Sequence, residues 1–217
     1  MLNAMNEWLN DPETLPNWLL NGKTVLIPKT NRLDIVENFR VITYLNTVDK
    51  IFTGLIGGHM KQHVVRNNLW DENQLGTKEN VLGTVDLLLV DQCIMEEIKC
   101  HHRNAAVAYY DYKKAYDYVH HDWINRVIGW MELDIKVRKV IAKMMSGWKT
   151  RLVITSEREQ KKSRWIQFNQ GFLQGDSFSP VGFCICEIPI LMLIESSKGY
   201  RMGPPESRIF NKTDSLF

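Results

Sequence analysis

The sequence of 217 residues lacks the marks of several large protein classes. Its four cysteines show no framework spacing and follow no recognisable secretory leader. The longest apolar run, residues 181–194, is interrupted by Glu187 and Pro189. Such a run is too short for a bilayer, which takes about 20 apolar residues. We therefore expect reduced thiols and an intracellular protein, in the nucleus or the cytoplasm, that is neither secreted nor in contact with a membrane.

Two further absences concern metal and nucleic acid. Cys100-His101-His102 has no C-x2-C pair beside it, so a zinc site is not expected. The net charge of +2 is nearly neutral, so any binding of nucleic acid must come from local clusters of charge. Residues 23–66 carry seven Lys/Arg against three Asp/Glu, a surplus of four positive charges that could face phosphates.

What is present is an ordinary globular composition, 44% apolar and 24% charged, with helical and strand periods mixed along the chain. The first twenty residues are predicted to form a short helix followed by a packed entry segment. Further helices are predicted at 41–55, 83–101, 123–131 with Asp122 as its N-cap, 135–148 and 180–194. The strands are predicted at 23–28, at 105–111 as a buried strand, and as a hairpin over 149–169. Because helices and strands do not alternate strictly, the predicted fold class is α+β.

The first candidate for chemistry is Asp111, which follows the apolar run 105–110. A carboxylate at the end of a strand could hold Mg²⁺, which prefers hard oxygen ligands, although a two-metal site needs at least one more carboxylate. Asp111 could equally cap a turn or pair with Lys113 or Lys114. The local sequence leaves both interpretations open.

Other candidates lie on either side of Asp111. Tyr116 could stack on a sugar or pack in the core, and Gln174-Gly175 could contact a nucleotide or simply connect a loop to a helix. Lys29 and Arg40 could bind a triphosphate or be solvated surface residues. None of these patterns is decisive alone.

Five segments in order resemble the reverse transcriptase domain of non-LTR (LINE-type) retrotransposons over most of the chain. They are Val25-Leu26-Ile27-Pro28-Lys29, the stretch from Glu37 to Asn46, Asn73-Gln74-Leu75-Gly76 with the helix that follows, Asp111 to Asp117, and Gln174 to Pro180. The resemblance implies the fingers and an incomplete palm of a right-hand polymerase. It places the fingers at about residues 1–104 and the palm, with finger insertions, at about 105–217.

The resemblance also implies roles for individual residues. Asp111 would be the catalytic metal ligand, assisted by the Tyr112 carbonyl, with two Mg²⁺ ions in a complete enzyme. Tyr116 would select the sugar, and Gln174 and Gly175 would contact the incoming nucleotide and the template–primer. Lys29 and Arg40 would hold the triphosphate. The implied partners are an RNA template, a DNA primer and a dNTP, and the implied reaction is RNA-directed DNA synthesis.

The family's aromatic-x-Asp-Asp motif should follow a strand similar to Ser215–Phe217, yet no Asp-Asp pair occurs in the 217 residues. We therefore expect a truncated domain without its thumb, in which the chain by itself is inactive as a polymerase. Two alternatives stay open: a non-catalytic module that binds nucleic acid, and a relic without function. The oligomeric state is not indicated by the sequence.

Overall fold

A computed structural model describes residues 1–32, 34–155, 159–195, 200–201 and 209–210. The chain divides into two compact units, and each is described by itself. The first unit comprises Met1–His63 and Lys114–Phe183, and the second comprises Val64–Lys113 and Cys184–Phe217. The predicted division into fingers and palm stays a prediction, because compactness alone does not identify either part.

Helices and strands are both present, and the predicted α+β class is confirmed. In the described ranges, the α-helices are α1 (Leu2–Asn10), α2 (Thr47–Arg66), α3 (Thr84–Cys100), α4 (Ala115–Tyr118), α5 (His121–Trp130), α6 (Ile135–Gly147) and α7 (Ser179–Glu195). The strands are β1 (Asn21–Pro28), β2 (Phe39–Tyr44), β3 (Lys149–Thr155), β4 (Gln160–Lys162), β5 (Ile166–Gln167), β6 (Tyr200–Arg201) and β7 (Ile209–Phe210).

The first unit contains a mixed sheet with the strand order β2-β1-β3-β4, and β5 also pairs with β3. β1 and β2 are antiparallel, with Ile27 opposite Arg40, whereas β1 and β3 are parallel, with Asn21 opposite Lys149. A parallel pair cannot be joined by a tight turn, and here the long connection between its strands includes the helices from α2 to α6. β6 and β7 form a separate antiparallel pair in the second unit.

Three buried threonines form a hydrogen-bonded row across the sheet of the first unit, with Thr24 opposite Thr43 in the register and Thr150 opposite Gly22. The Thr24 hydroxyl lies 2.9 Å from that of Thr43 on β2 and 2.5 Å from that of Thr150 on β3. Their hydroxyls satisfy one another away from water, as buried polar groups must. This row fixes the register of β2, β1 and β3 and thereby the position of Thr43, which the candidate site uses.

Apolar side chains from the helices and the loops form the core of the first unit. α6 ends at Gly147 because the next residue, Trp148, turns into a fully buried position, and the absence of a side chain at Gly147 leaves room for Leu20. Other buried members are Leu19, Ile124, Ile128, Val140, Ile141, Met145, Phe172 and Leu173. Burial of each such side chain stabilises the fold by about 1.5–3 kcal/mol.

The structure confirms the helices predicted at 83–101, 135–148 and 180–194 and the strand at 23–28. The helix predicted at 41–55 is wrong in its first part: residues 41–44 continue β2, and the helix begins at Thr47. The helix predicted at 123–131 begins at His121, so Asp122 lies in its first turn and His120 is the N-cap. The predicted strand at Ser215–Phe217 lies outside the described residues.

The predicted buried strand at 105–111 is also wrong. These residues are exposed and form no regular secondary structure. A strand needs a neighbour to satisfy its backbone N–H and C=O groups, and no strand of the described ranges pairs with this segment. Small apolar residues in a row therefore indicated a strand that nothing in the described ranges completes.

No helix in the described part of the chain is long and apolar enough to cross a membrane.

Candidate functional site

The turn Gln174-Gly175-Asp176 lies against the outer edge of the sheet in the first unit. The backbone N–H of Thr43, on the edge strand β2, donates to the Gln174 carbonyl over 2.8 Å. Gly175 has φ +117°, and a Cβ there would lie 2.4 Å from the Thr43 carbonyl oxygen. Only glycine can adopt this conformation at this distance from the strand, so Gly175 allows the turn to pack against β2.

The segment before the turn is held to α4. The Gly171 N–H donates to the Val119 carbonyl over 2.7 Å, and the Phe172 N–H donates to the Tyr116 carbonyl over 2.8 Å. The side-chain amide of Gln174 donates to the Asp117 carboxylate over 3.2 Å. These contacts bring Tyr116 beside Gln174 and Gly175, although the residues are far apart in the sequence.

An open cleft of about 240 Å³ lies where these elements meet. Its lining residues are Tyr116, Gln174, Gly175, Asp176, Ser179 and Pro180. Pockets for drug-sized ligands are usually about 300–1,000 Å³. The cleft is thus large enough for part of a nucleotide, such as its sugar, and not for a whole one.

Tyr116 forms one wall of this cleft and also packs against other aromatic rings. Its ring centroid lies 5.1 Å from that of Phe183 and 6.4 Å from that of Phe172, which meets it edge-on. Tilted and edge-on contacts of this kind orient a ring. The two interpretations of Tyr116 from the sequence, core packing and a wall of a binding site, therefore both describe its position.

Asp176 lines the cleft and is nevertheless buried, with 4% of its surface exposed. Its Oδ1 accepts a hydrogen bond from the Thr53 hydroxyl over 2.5 Å and from the Phe178 N–H over 3.4 Å. Burial raises the pKa of Asp176, while these donors and Lys50 act in the opposite direction. Its neighbour Asp49, in the first turn of α2, is still more buried at 1% exposure.

Sequence reasoning considered Asp176 only as a helix cap and missed Asp49 and Thr53 altogether. Burial, followed by the charge of Asp176, raises the pKa of Asp49 to about 8. The sequence contains only a partial signal: Asp49 and Thr53 are four residues apart and so share one face of a helix, but that spacing does not identify Asp176 as a partner. This spacing was overlooked because residues 41–55 were interpreted only by their apolar helical period.

Lys29 and Arg40 lie near the turn that joins β1 and β2. Lys29 and Arg40 are both exposed, and the Lys29 N–H donates to the Asn38 carbonyl over 2.7 Å. Neither is among the residues that line the cleft. The structure therefore brings Tyr116, Gln174 and Gly175 together and leaves the two cations on the hairpin of the sheet.

Asp111 and Tyr112 belong to the second unit. Asp111 is exposed, and the Tyr112 hydroxyl donates to the Glu187 carboxylate on α7 over 3.2 Å. Burial and then the charge of Glu187 raise the pKa of Tyr112, and burial likewise raises the pKa of Glu187. The Tyr109 hydroxyl donates to Asp91 on α3 over 3.2 Å, so tyrosine hydroxyls attach this irregular segment to two helices.

The described residues do not by themselves complete a magnesium site. Mg²⁺ takes about six oxygen ligands, of which several are usually carboxylates, phosphates or water. In the ranges that the structure describes, no group of three or more His, Cys, Asp or Glu side chains could hold a metal ion. The metal-ligand role implied for Asp111 and the Tyr112 carbonyl therefore stays a prediction, and these two groups would supply only part of what such a site requires.

The segment Asn73-Gln74-Leu75-Gly76 forms a tight turn in the second unit. Gln74 is fully buried, and its side-chain carbonyl accepts a hydrogen bond from the Gly76 N–H over 2.9 Å. The Trp70 indole donates to the Gln74 backbone carbonyl over 3.0 Å. A buried amide held in this way has a structural role, because its oxygen is used inside the turn.

Comparisons with known proteins agree with the order of these segments. The family described as "Reverse transcriptase (RNA-dependent DNA polymerase)" matches residues 27–202. The retrovirus-related Pol polyprotein from type-1 retrotransposable element R2 of Nasonia vitripennis is 26% identical over 190 residues. These residues are 87% of this chain and 18% of that polyprotein, so the chain spans less than a fifth of this relative's length. The resemblance to a non-LTR reverse transcriptase domain is thereby confirmed, and the chain belongs to the reverse transcriptase (RNA-dependent DNA polymerase) family.

Proposed function

We propose that the chain is part of an RNA-directed DNA polymerase of a non-LTR retrotransposon, which extends a DNA primer along an RNA template with dNTPs. One observation carries the proposal: the family match includes every residue that lines the cleft beside Tyr116 and the Gln174-Gly175 turn. The activity belongs to the complete polyprotein to which such a domain would contribute.

In this proposal the cleft receives the sugar of the incoming nucleotide. The Tyr116 ring is held by Phe183 and Phe172, so a hydroxyl that projects toward it would meet a wall that cannot easily move. A deoxyribose lacks the 2′-hydroxyl and would be preferred. Gln174 and Gly175 would contact the nucleotide and the template–primer through the backbone that glycine leaves accessible.

Lys29 and Arg40 would serve the phosphates from the hairpin of β1 and β2. Their exposure supports this role, because a phosphate-binding cation must be reachable from solvent. Divalent metal ions are general in this family, and Asp111 with the Tyr112 carbonyl would contribute to holding Mg²⁺. The remaining ligands would come from groups other than those the described residues provide.

Binding of a labelled RNA-template–DNA-primer duplex by the 217-residue chain tests the proposal. We expect fluorescence anisotropy to show binding that weakens as salt rises, because phosphate contacts release counterions. Lys29→Ala combined with Arg40→Ala should weaken binding roughly tenfold. The slope of log affinity against log salt concentration should become less negative by about two, because about two phosphate contacts are lost.

The matched control for this experiment is Lys139→Ala, which removes a cation from α6 in the same unit. It should leave both the affinity and the salt dependence unchanged. Equal losses in the control and in the double variant would show that general charge, and not the hairpin, holds the duplex. Absence of binding by the unaltered chain at low salt would contradict the proposal for this polypeptide.

A further inference from the structure

Asp49 and Asp176 are a pair of buried carboxyl groups, and the charge of Asp176, which lines the cleft, acts on Asp49. Their exposed fractions are 1% and 4%. Asp49 lies on α2 and Asp176 on the turn that follows Gly175, so the pair joins a helix to the wall of the cleft. Ionised carboxylates are rarely buried so fully unless each oxygen has a partner.

The hydrogen bonds of this pair are incomplete. Asp176 Oδ1 is satisfied by the Thr53 hydroxyl and the Phe178 N–H. In the part of the chain that the structure describes, Asp176 Oδ2 and Asp49 Oδ1 are both buried without any hydrogen-bond partner. A single proton shared by the two carboxyl groups would give both unpartnered oxygens a hydrogen bond, because a protonated carboxyl is a donor.

α2 presents these groups on one face that approaches the turn closely. Asp49, Thr53 and Gly57 follow one another at intervals of four residues, so they share that face. A Cβ at Gly57 would lie 3.5 Å from the Phe178 Cα, which shows how near the backbone of the turn comes to the helix. The face therefore contacts residues 176–178 as a continuous surface.

We propose that Asp49 and Thr53 are positioning residues that hold the Gln174-Gly175-Asp176 turn in its binding conformation, with Asp49 as the neutral acid that donates its proton to Asp176. The inference rests on the proposed function, since it concerns the turn that would contact the nucleotide. Thr53 supplies one hydrogen bond to Asp176, and the Asp49 proton supplies the second. The turn is then fixed to α2, while Gln174 and Gly175 line the cleft.

The charges around the pair support a shared proton. Two charged groups act on Asp49, namely Asp176 in the turn and Lys50 on the same helix. The charge of Lys50 lowers the pKa of Asp49. Burial and the charge of Asp176 outweigh Lys50 and raise the pKa of Asp49 to about 8. The pKa of Asp176 is raised by burial as well, so one proton remains with the pair near neutral pH.

Hydrogen exchange of the Phe178 amide measures how well the turn is held. We expect Thr53→Val to lower its protection factor about tenfold, because a hydrogen bond to a carboxylate is lost with little change in shape. Asp49→Asn should keep the protection, since asparagine is neutral and retains a donor, whereas Asp49→Ala should lose it. Glu7→Gln, an exposed carboxyl on α1, is the matched control and should change nothing.

The pH dependence of the Phe178 protection factor distinguishes a proton shared by Asp49 and Asp176 from a purely steric contact and from a bound cation. In the unaltered chain, the protection factor should fall between about pH 6 and pH 9, and in Asp49→Asn it should stay constant. A protection factor that is constant in both, or lost in Asp49→Asn as fully as in Asp49→Ala, would overturn the neutral acid. If Mg²⁺ or Ca²⁺ restored the protection at high pH, the neutral acid would also be overturned, because a cation would then bind between the two carboxylates.

Duplex binding measured on the same variants keeps this inference distinct from the proposed function. If the unaltered chain binds no duplex, the proposed function fails for this polypeptide, and the protection factors still decide whether α2 holds the turn. If Thr53→Val loosens the turn and duplex affinity does not fall, the turn is held by α2 without serving the cleft, and the positioning role is wrong.

Discussion

At the scale of single residues, the main finding is that the most unusual carboxyl group is not one of the expected ligands. Asp49 is buried in the first turn of α2, and its pKa is raised to about 8. Asp111, which the resemblance implies as the metal ligand, is exposed. Perturbed titration often marks a functional site, and Asp49 shares α2 with Thr53, which donates a hydrogen bond to the turn at the cleft.

Replacement of Asp49 by asparagine should change how stability depends on pH. The folded chain keeps the Asp49 proton up to about pH 8, whereas the unfolded chain loses it near the ordinary pKa of 3.8. Between these values the folded state binds more protons, so the free energy of unfolding of the unaltered chain decreases as pH rises. Relative to that chain, Asp49→Asn should gain roughly 10 °C in Tm between about pH 5 and pH 8.

Thermal unfolding followed by circular dichroism at several pH values checks this expectation. Glu7→Gln serves again as the control, and its Tm should remain parallel to that of the unaltered chain. A difference in Tm between Asp49→Asn and the unaltered chain that stays constant over the whole range would show that Asp49 titrates as an ordinary carboxyl.

At the scale of elements, the cleft depends on the contact between a turn and an edge strand. β2 ends the sheet, and an exposed edge offers unpaired backbone groups to other chains. The Gln174-Gly175 turn covers part of that edge through the Thr43 N–H. The same contact therefore builds the site and protects the sheet.

A methyl group at Gly175 should break this contact. Gly175→Ala places a Cβ at 2.4 Å from the Thr43 carbonyl oxygen in a conformation with φ +117°. Backbone strain of this kind costs about 1–3 kcal/mol, which corresponds to a fall in Tm of roughly 2–10 °C for a chain of this size. Duplex affinity should fall as well.

Gly58→Ala is the matched control, because a Cβ at Gly58 in α2 meets nothing within 4 Å. Alanine in a helix is favoured over glycine by about 0.5–1 kcal/mol, so this variant should be slightly more stable. Calorimetry of both variants measures the difference. Equal stability of Gly175→Ala and the unaltered chain would mean that the turn can leave the strand without loss.

The elements also show what sequence reasoning can and cannot reach. Helices α3, α6 and α7 were predictable because their apolar periods are local. The boundary between β2 and α2 was not, because Val41 and Ile42 satisfy a helical stripe as well as a strand. The failure at residues 105–111 has another cause, since a strand depends on a neighbour that the segment's own sequence does not contain.

The site was predictable in part for the same reasons. Tyr116, Gln174 and Gly175 were identified from the resemblance, and the structure places them around one cleft. Thr53 and Asp49 could not be identified from local pattern alone, because their importance comes from a distant partner, 123 residues away in the case of Thr53. Long-range polar contacts of this kind leave no periodic signal.

At the scale of the whole molecule, the available carboxylates bear on whether the 217 residues could complete a two-metal site. The chain contains no Asp-Asp pair, and its described residues bring together no metal-binding group of three or more side chains. Two-metal phosphoryl transfer needs carboxylates that clamp both ions. We propose that this polypeptide alone binds template and primer and does not extend the primer.

Primer extension with Mg²⁺, dNTPs and an RNA template checks this proposal directly. We expect no product above that of a reaction without protein. Robust extension that disappears in Asp111→Ala and persists in Asp122→Ala would contradict it and would show that Asp111 finds its other ligands within this chain.

The hydrogen bond between Thr53 and Asp176 has a consequence for folding during synthesis of the chain. During synthesis the ribosome releases α2 long before the turn that will cover its polar face, and 123 residues separate the two partners. At a synthesis rate of about 5–20 residues per second, roughly 6–25 s pass between the synthesis of Thr53 and that of Asp176. Throughout that interval Asp49 is in water and ionised, so the nascent chain must take up a proton when the turn closes over the helix.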